Sequence, residues 1–327
     1  MRRHPRSPRR QRGVALIIAL ILVALATILA TKLTFDGWLE RRRTIGVIAA
    51  EQALHFGVGA EALAADVLTQ TRQTGGNQIT LAQPWAQATQ PLPLTPENDA
   101  EGEPIGSLQA SLEDMQGRFN LNNLAAMSNG APDPKPYDQF VRLLKSVKLE
   151  PKWAALARDW IDADDVPGPD GGEDSVYTSQ MPPYRTANWP MTSPTELMNL
   201  PGFGADRYRK IAPYVTALPT ALAPINICTA PALVIESLAD SLSGEYSGSP
   251  EVLLVGRKTG CFPDKATLNG ILGAQASQLT NLFTDNSQYF RLTTHVTLGT
   301  TEFTLYSLLY VGTGSKVTPL LRTFGTL

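Results

Sequence analysis

Six carboxylates between Asp162 and Asp174 are the residues of this sequence best suited to chemistry. They belong to one Gly- and Pro-rich segment thirteen residues long. The six are Asp162, Asp164, Asp165, Asp170, Glu173 and Asp174. Crowded carboxylates repel one another unless a cation neutralises them, and hard oxygen ligands suit calcium. Asp164 and Glu173 hold the third and twelfth positions from Asp162, but Pro167 replaces the glycine that an EF-hand needs. The spacing alone leaves a calcium loop and a solvated acidic loop both open.

A sharp change of character marks the N-terminus. Residues 1–13 carry six arginines and no acid, and Gly13 is followed by an uncharged apolar run from Val14 to Thr31. At about 1.5 Å per residue this run is roughly 27 Å long, close to the ~30 Å core of a bilayer. The arginines predict a cytoplasmic N-terminus and a periplasmic body. Three interpretations remain open, namely a prepilin leader cleaved between Gly13 and Val14, a secretory signal cleaved after Ala26, and an uncleaved anchor.

The charge of the chain excludes some partners. The 327 residues contain 28 basic and 30 acidic side chains. Without the six leader arginines, the remainder has a net charge of about −8, which disfavours nucleic-acid binding. The two cysteines, Cys228 and Cys261, are disulfide candidates because a periplasmic compartment is oxidising, although two buried free thiols would fit the sequence equally well.

The periodicity of apolar residues predicts an α+β architecture. One helix is expected from Val14 to Thr71, with residues 14–34 in the membrane and an apolar stripe in its second half. That stripe comprises Ile45, Ala49, Leu54, Val58, Leu63 and Val67. Residues 73–104 read as loop, residues 105–114 as a strand, and two alternating runs around Gly299-Thr300 as a hairpin. Between these strands the pattern is helical, so a helical domain inserted into a sheet domain is predicted.

A second motif has the form of a DNA-binding element. The segment TELMNLPGFGADRYRKIAPYV resembles a helix–hairpin–helix, and INICTAPAL resembles the start of another copy. The hairpin would present backbone amides to phosphate. Residues 118–285 nevertheless contain 14 basic and 18 acidic side chains, the wrong balance for that role. No nucleophile motif accompanies the three histidines, so an enzyme is not expected.

Several motifs in order carry a family resemblance. GVALIIALILVALA, DMQGRFNLNNL, WIDADDVPGPDGGEDSVY, NLPGFGADRYRKI and PINICTAPAL together resemble protein K of the type II secretion system, a minor pseudopilin. The resemblance implies a leader (1–13), a transmembrane helix (14–34), a split pilin-like domain (35–118 and 286–327) with a small antiparallel sheet, and an inserted all-α domain of helix–hairpin–helix or SAM-like type (119–285).

The resemblance also implies a site and partners. It assigns calcium to Asp162, Asp164, Glu173 and Asp174, with Asp165 and Asp170 as weaker candidates. It implies processing by the prepilin peptidase at Gly13–Val14, methylation of Val14, and a structural role at the tip of a periplasmic pseudopilus, with minor pseudopilins I and J. Ile18 stands where most pilin-like subunits have glutamate. The alternative is a membrane-anchored periplasmic DNA-binding protein.

Overall fold

Helices account for the largest part of the chain. The structure, a computed structural model, describes residues 12–87, 89–95, 102–239 and 255–325. The α-helices are α1 (Arg12–Gly75), α2 (Pro134–Ser146), α3 (Lys152–Ile161), α4 (Asp174–Tyr177), α5 (Gly204–Ile211), α6 (Ala232–Glu236), α7 (Lys265–Leu272) and α8 (Ala276–Leu279). Short 3-10 helices cover Pro84–Ala86, Met115–Gly117, Leu121–Ala125, Pro194–Asn199, Ala212–Tyr214, Gly273–Gln275 and Thr313–Ser315.

One antiparallel sheet of five strands joins distant parts of the chain. The strands of the protein are β1 (Leu92–Leu94), β2 (Gly106–Asp114), β3 (Phe119–Asn120), β4 (Met127–Ser128), β5 (Ala131–Pro132), β6 (Val215–Thr216), β7 (Ile225–Asn226), β8 (Phe283–Thr284), β9 (Tyr289–Leu298), β10 (Thr301–Val311) and β11 (Val317–Phe324). The order in the main sheet is β1-β2-β9-β10-β11. Gly299, at a φ of +56°, and Thr300 form the predicted two-residue turn between β9 and β10.

The second half of α1 packs on one face of this sheet. Its first buried residue is Ala53, and Ala60, Ala64 and Leu68 follow at helical spacing. Gly57 belongs to the same face, where a Cβ would lie 2.8 Å from Cδ2 of Leu305 on β10. Small residues therefore let the helix approach the sheet closely, and Val58 and Leu63 of the larger apolar stripe remain exposed.

A buried charge fixes the helix on the sheet. Glu61 is 6% exposed and accepts two hydrogen bonds from Arg322 of β11, one from Nε at 2.8 Å and one from Nη2 at 2.7 Å. Ser307 of β10 donates a third at 2.6 Å. The paired geometry compensates the cost of burying the carboxylate and ties α1 to two strands at once.

Residues between β2 and β9 form a second, mainly helical block. Its buried side chains, such as Phe119, Phe140 and Trp153, make a cluster separate from that between α1 and the sheet. The described part of this block also contains three pairs of two-residue strands, β3–β6, β4–β5 and β7–β8. The block was predicted to be all-α and is instead mainly helical. Each of these strands is only two residues long, and the helices supply most of the buried core of the block.

Buried amides and a buried carboxylate hold the block together and join it to the sheet. In the GRFNLN segment, Asn122 donates to the carbonyls of Met191 (2.9 Å) and Leu218 (2.8 Å) and accepts from the Met191 amide. At the end of β2, Asp114 accepts hydrogen bonds from Asn226, Thr229 and Ser287. Burial raises the pKa of the Asp114 carboxyl. The GRFNLN motif thus has a structural role.

Candidate metal centre

Helix α3 and the turn before α4 bring three of the predicted carboxylates together. Asp162 caps the C-terminus of α3, Glu173 is at the N-terminal cap of α4, and Asp164 lies in the loop between them. One oxygen from each of these three side chains lies within 4.8 Å of the others. Among the described residues, this is the group of acidic, histidine and cysteine side chains with the spacing of metal ligands.

Several oxygens of this cluster have no hydrogen-bond donor among the described residues. Glu173 is 4% exposed, and neither of its carboxylate oxygens has a hydrogen-bond partner in the described part of the chain. Oδ1 of Asp162 and Oδ1 of Asn188 are also buried without a partner. Buried acceptors are normally paired, so several unpaired acceptors in one region are the arrangement that a bound cation would satisfy.

The pKa values of the cluster reflect the same crowding. Burial, together with the negative charges of Asp159 and Asp162, raises the pKa of Glu173 from 4.5 to about 7. Burial and the charges of Asp159 and Asp164 raise the pKa of Asp162 from 3.8 to about 6. Removing carboxylates from water and placing them side by side both disfavour the ionised form. A cation would reverse this effect by favouring the ionised form.

Asp159, which was not among the acidic residues selected from the sequence, shapes the loop. Its side chain is 1% exposed, and its Oδ2 accepts hydrogen bonds from the amides of Gly168 and Gly172, both at 2.9 Å. A Cβ at Gly171 would lie 1.9 Å from the same oxygen. The loop therefore wraps around a buried carboxylate and needs glycine there. The signal in the sequence was an acid three residues before Asp162, one helical turn earlier.

The remaining acidic residues of the loop have other partners. Oδ1 of Asp174 accepts from the amide and hydroxyl of Thr186, and its Oδ2 pairs with Arg185 at 3.3 Å. Asp165 is exposed and accepts from Asn188, whereas Asp170 is exposed at a φ of +61°. The structure thus groups Asp162, Asp164 and Glu173, while Asp174 as a ligand stays a prediction.

The helix–hairpin–helix segment uses its cations internally. The 3-10 helix Pro194–Asn199 leads into a turn with Gly202 at a φ of +82°, and α5 follows. Arg207 donates to the carbonyls of Gly202 (2.8 Å) and Phe203 (3.1 Å) and lies over the ring of Trp153. Arg209 pairs with Asp206 at 2.8 Å. These contacts describe a structural turn and leave less positive charge for phosphate.

The two cysteines are bonded to each other. A disulfide joins Cys228 and Cys261, whose Cα atoms are 4.5 Å apart. It crosses 33 residues of sequence and fastens the segment after β7 to the segment before α7. Of the two possibilities that the sequence left open, the structure has the bridge.

Comparisons with known proteins all point to one family. A family model described as "Type II secretion system (T2SS), protein K" matches residues 117–220. The type II secretion system protein K of Pseudomonas aeruginosa is 32% identical, over 97% of this chain and 94% of its own length. The chain belongs to the protein K family of the type II secretion system.

Other relatives support the assignment. Protein K of Aeromonas hydrophila is 30% identical over 98% of both chains. A chain in the crystal structure of the GspK-GspI-GspJ complex from enterotoxigenic Escherichia coli superposes with a TM-score of 0.75 and 27% identity, covering 87% of this chain and 100% of that one. The resemblance seen in the sequence is confirmed, and this protein K is a minor pseudopilin; the DNA-binding alternative finds no support.

The first half of α1 is exposed along its length. An 18-residue window in the helix has a mean hydropathy of 2.9, and none of that window is buried. By length and composition this segment could cross a membrane, as a single anchor near the N-terminus. The predicted leader, residues 1–13, lies outside the described residues except for Arg12 and Gly13, so cleavage at Gly13–Val14 stays a prediction.

Proposed function

We propose that this protein K stands at the tip of the pseudopilus in a complex with minor pseudopilins I and J, where it initiates or caps the fibre that drives export of folded proteins. The observation that carries the proposal is the likeness to a chain of the GspK-GspI-GspJ complex over that chain's whole length. The mainly helical block adds weight, since it is too bulky to fit between successive subunits of a tightly packed shaft. We treat residues 35–118 with 286–327 as the pilin-like domain and 119–285 as the insert.

Exposed apolar side chains of α1 offer the surface for these partners. Ile45 is 66% exposed and Leu63 is 61% exposed, and Val47 and Ile48 are also exposed above the predicted membrane segment. Apolar side chains at helical spacing that find no cover within the chain suit packing against another helix. A photo-crosslinking residue at Leu63 should therefore capture I or J, whereas the same residue at Trp189, exposed on the insert, should not.

The tip location can be tested with a single gold label. Both cysteines of the chain are in the disulfide, so Met181→Cys, at a position 94% exposed on the insert, provides one free thiol. Electron microscopy of assembled fibres should find gold at one end only. Gold repeated at regular intervals along the shaft would contradict the tip assignment, while leaving membership of the family untouched.

We further propose that residues 14–34 anchor the protein once in the inner membrane, with a cytoplasmic N-terminus and a periplasmic body. The prepilin peptidase would cleave between Gly13 and Val14, and Val14 would be methylated. Ile18 fits a tip subunit. A glutamate at this position usually pairs with the N-terminal amine of a neighbouring subunit, and a subunit at the tip has no neighbour above it. Mass spectrometry should find Val14 at the mature N-terminus, and Gly13→Val should block cleavage. A start at Thr27 would instead indicate a secretory signal.

Calcium is the cofactor we propose for the acidic loop. Asp162, Asp164 and Glu173 would supply oxygen ligands, and Asp174 is a fourth candidate that would have to exchange its present partners. The unpaired oxygens of Glu173 fit such an ion, because a hard cation needs several oxygens and no donors. The ion would neutralise the cluster and hold the loop.

A thermal titration tests the site. Calcium should raise the melting temperature of the protein, because an ion that binds only the folded state stabilises it. The shift should disappear in Asp164→Ala and persist in Asp206→Ala, the same change of an exposed acid outside the loop. If Asp164→Ala responds to calcium like the parent, the metal assignment is wrong.

A further inference from the structure

The face of the sheet opposite α1 bounds a cleft that the secretion role does not explain. Side chains alternate along each strand, so Arg291, Tyr306 and Thr323 point away from the face that α1 covers. The cleft has a volume of about 390 Å³ and lies between this face and the helical block. The loop at Thr192–Thr195 and the segment Tyr208–Ala217 form its other wall.

Positive charge dominates the lining. Arg118 and Arg291 are its charged residues, with hydroxyl groups of Ser193, Tyr208 and Thr323 beside them. Both guanidinium groups pair with Glu113, which does not line the cleft. Two cations share one carboxylate, so this arrangement retains about one unit of positive charge. Both arginine side chains are partly exposed, by 19% for Arg118 and 24% for Arg291.

Arg291 has unused hydrogen-bonding capacity. The one hydrogen bond of its side chain among the described residues is from Nη2 to Glu113, and its Nε is buried without a partner. Arg118, by contrast, also donates from Nη1 to the carbonyl of Ala212 at 3.2 Å. The hydroxyl of Thr323, in the same lining, is likewise buried and unpaired. Unpaired buried donors are uncommon, and here they coincide with excess positive charge.

We propose that this cleft binds a carboxylate carried on a short apolar peptide segment. Arginine is the side chain best matched to a carboxylate, because its planar group can donate two parallel hydrogen bonds. Met115, Pro194, Leu308 and Leu321 provide apolar surface in the same lining for the neighbouring side chains of the peptide. The ligand is therefore an acidic protein segment, with its carboxylate either in a side chain or at a chain end.

Calorimetric titration of the full-length protein in detergent tests the proposal. The probes are acetyl-Leu-Glu-Leu-amide, acetyl-Leu-Leu-Leu with a free C-terminus, and the neutral acetyl-Leu-Gln-Leu-amide. We expect at least one acidic peptide to bind saturably at millimolar or lower concentration, and the neutral peptide at least tenfold more weakly. Which acidic peptide binds identifies the carboxylate as that of a side chain or of a chain end.

Matched variants locate the binding. Arg291→Gln should weaken the acidic peptide at least tenfold, whereas Arg209→Gln, an exposed arginine paired outside the cleft, should leave its affinity unchanged. Should Arg291→Gln unfold, Thr323→Val removes one lining hydroxyl with little change of shape and should weaken binding severalfold. The proposal is overturned if neither acidic peptide binds, if the neutral peptide binds equally well, or if the folded cleft variant retains parental affinity.

Discussion

Replacing Glu173 with glutamine should change the stability of the protein in opposite directions with and without calcium. In the metal-free protein, the folded state raises the pKa of Glu173 to about 7 from 4.5. Between these two pH values the folded state holds a proton that the unfolded state has lost. The free energy of unfolding of the parent should therefore fall as the pH rises from about 4.5 to about 7 and then level off.

The size of this effect follows from the same pKa values. When the pKa of a group differs by one between the folded and unfolded states, the free energy of unfolding changes by about 1.4 kcal/mol. The raised pKa of Glu173 therefore sets an upper bound of roughly 3 kcal/mol. Asp159 and Asp162 share the repulsion, and the loop can relax, so about 1–3 kcal/mol is expected. At pH 8 in chelator, Glu173→Gln should raise the melting temperature by roughly 2–10 °C.

Calcium should reverse the order of the melting temperatures of the parent and the Glu173→Gln variant. The glutamine lacks the charge that a hard cation requires, so the variant should bind calcium more weakly and melt below the parent when calcium is present. Differential scanning calorimetry at pH 5 and pH 8, in chelator and in calcium, makes the comparison. A variant that is less stable than the parent in chelator at pH 8, or equally responsive to calcium, would refute the reasoning about this cluster.

Three further predictions concern the fold. Replacing both Cys228 and Cys261 with serine should lower the free energy of unfolding by about 2–4 kcal/mol, measured by urea denaturation, because the bridge closes a loop of 33 residues. Arg322→Gln should cost about 1–3 kcal/mol, since Glu61 remains buried with Ser307 as its partner; a double-mutant cycle with Glu61→Gln should show coupling, and additivity would contradict the pairing. Asn122→Ala should cost about 2–4 kcal/mol by the same measurement, whereas Asn129→Ala, in an exposed turn, should cost less than half as much.

Periodic segments with strong signals were predictable from the sequence. The continuous helix, strand β2 and the hairpin at Gly299-Thr300 all follow from local patterns of apolar residues and turn residues. The edge strands did not: β1 lies in a segment predicted as loop, and β11 in a tail without a clear signal. Neither Pro93 nor Pro319 favours a strand, and pairing with a formed neighbour decides the conformation at an edge.

The face of α1 that packs on the sheet could not be predicted from the apolar pattern of the sequence. The sequence pattern favoured large apolar residues such as Val58 and Leu63, but these are exposed, and Gly57, Ala60 and Ala64 face the sheet. Close approach of a helix to a sheet selects small side chains, and the larger ones remain available for partners. The carboxylate cluster was predictable in composition, but Asp159 was not, because its role depends on how the glycines of the loop fold back on α3.

No residue of α1 from Val14 to Gln52 is buried, and this has a mechanical consequence. With residues 14–34 in a bilayer, the 18 residues from Phe35 to Gln52 form a bare shaft about 27 Å high between the lipid surface and the folded body. The helix runs through this shaft without a break, so a twist or lift applied to the body reaches the membrane segment directly. The shaft would thus hold the body clear of the lipid headgroups and leave space beside it for neighbouring helices.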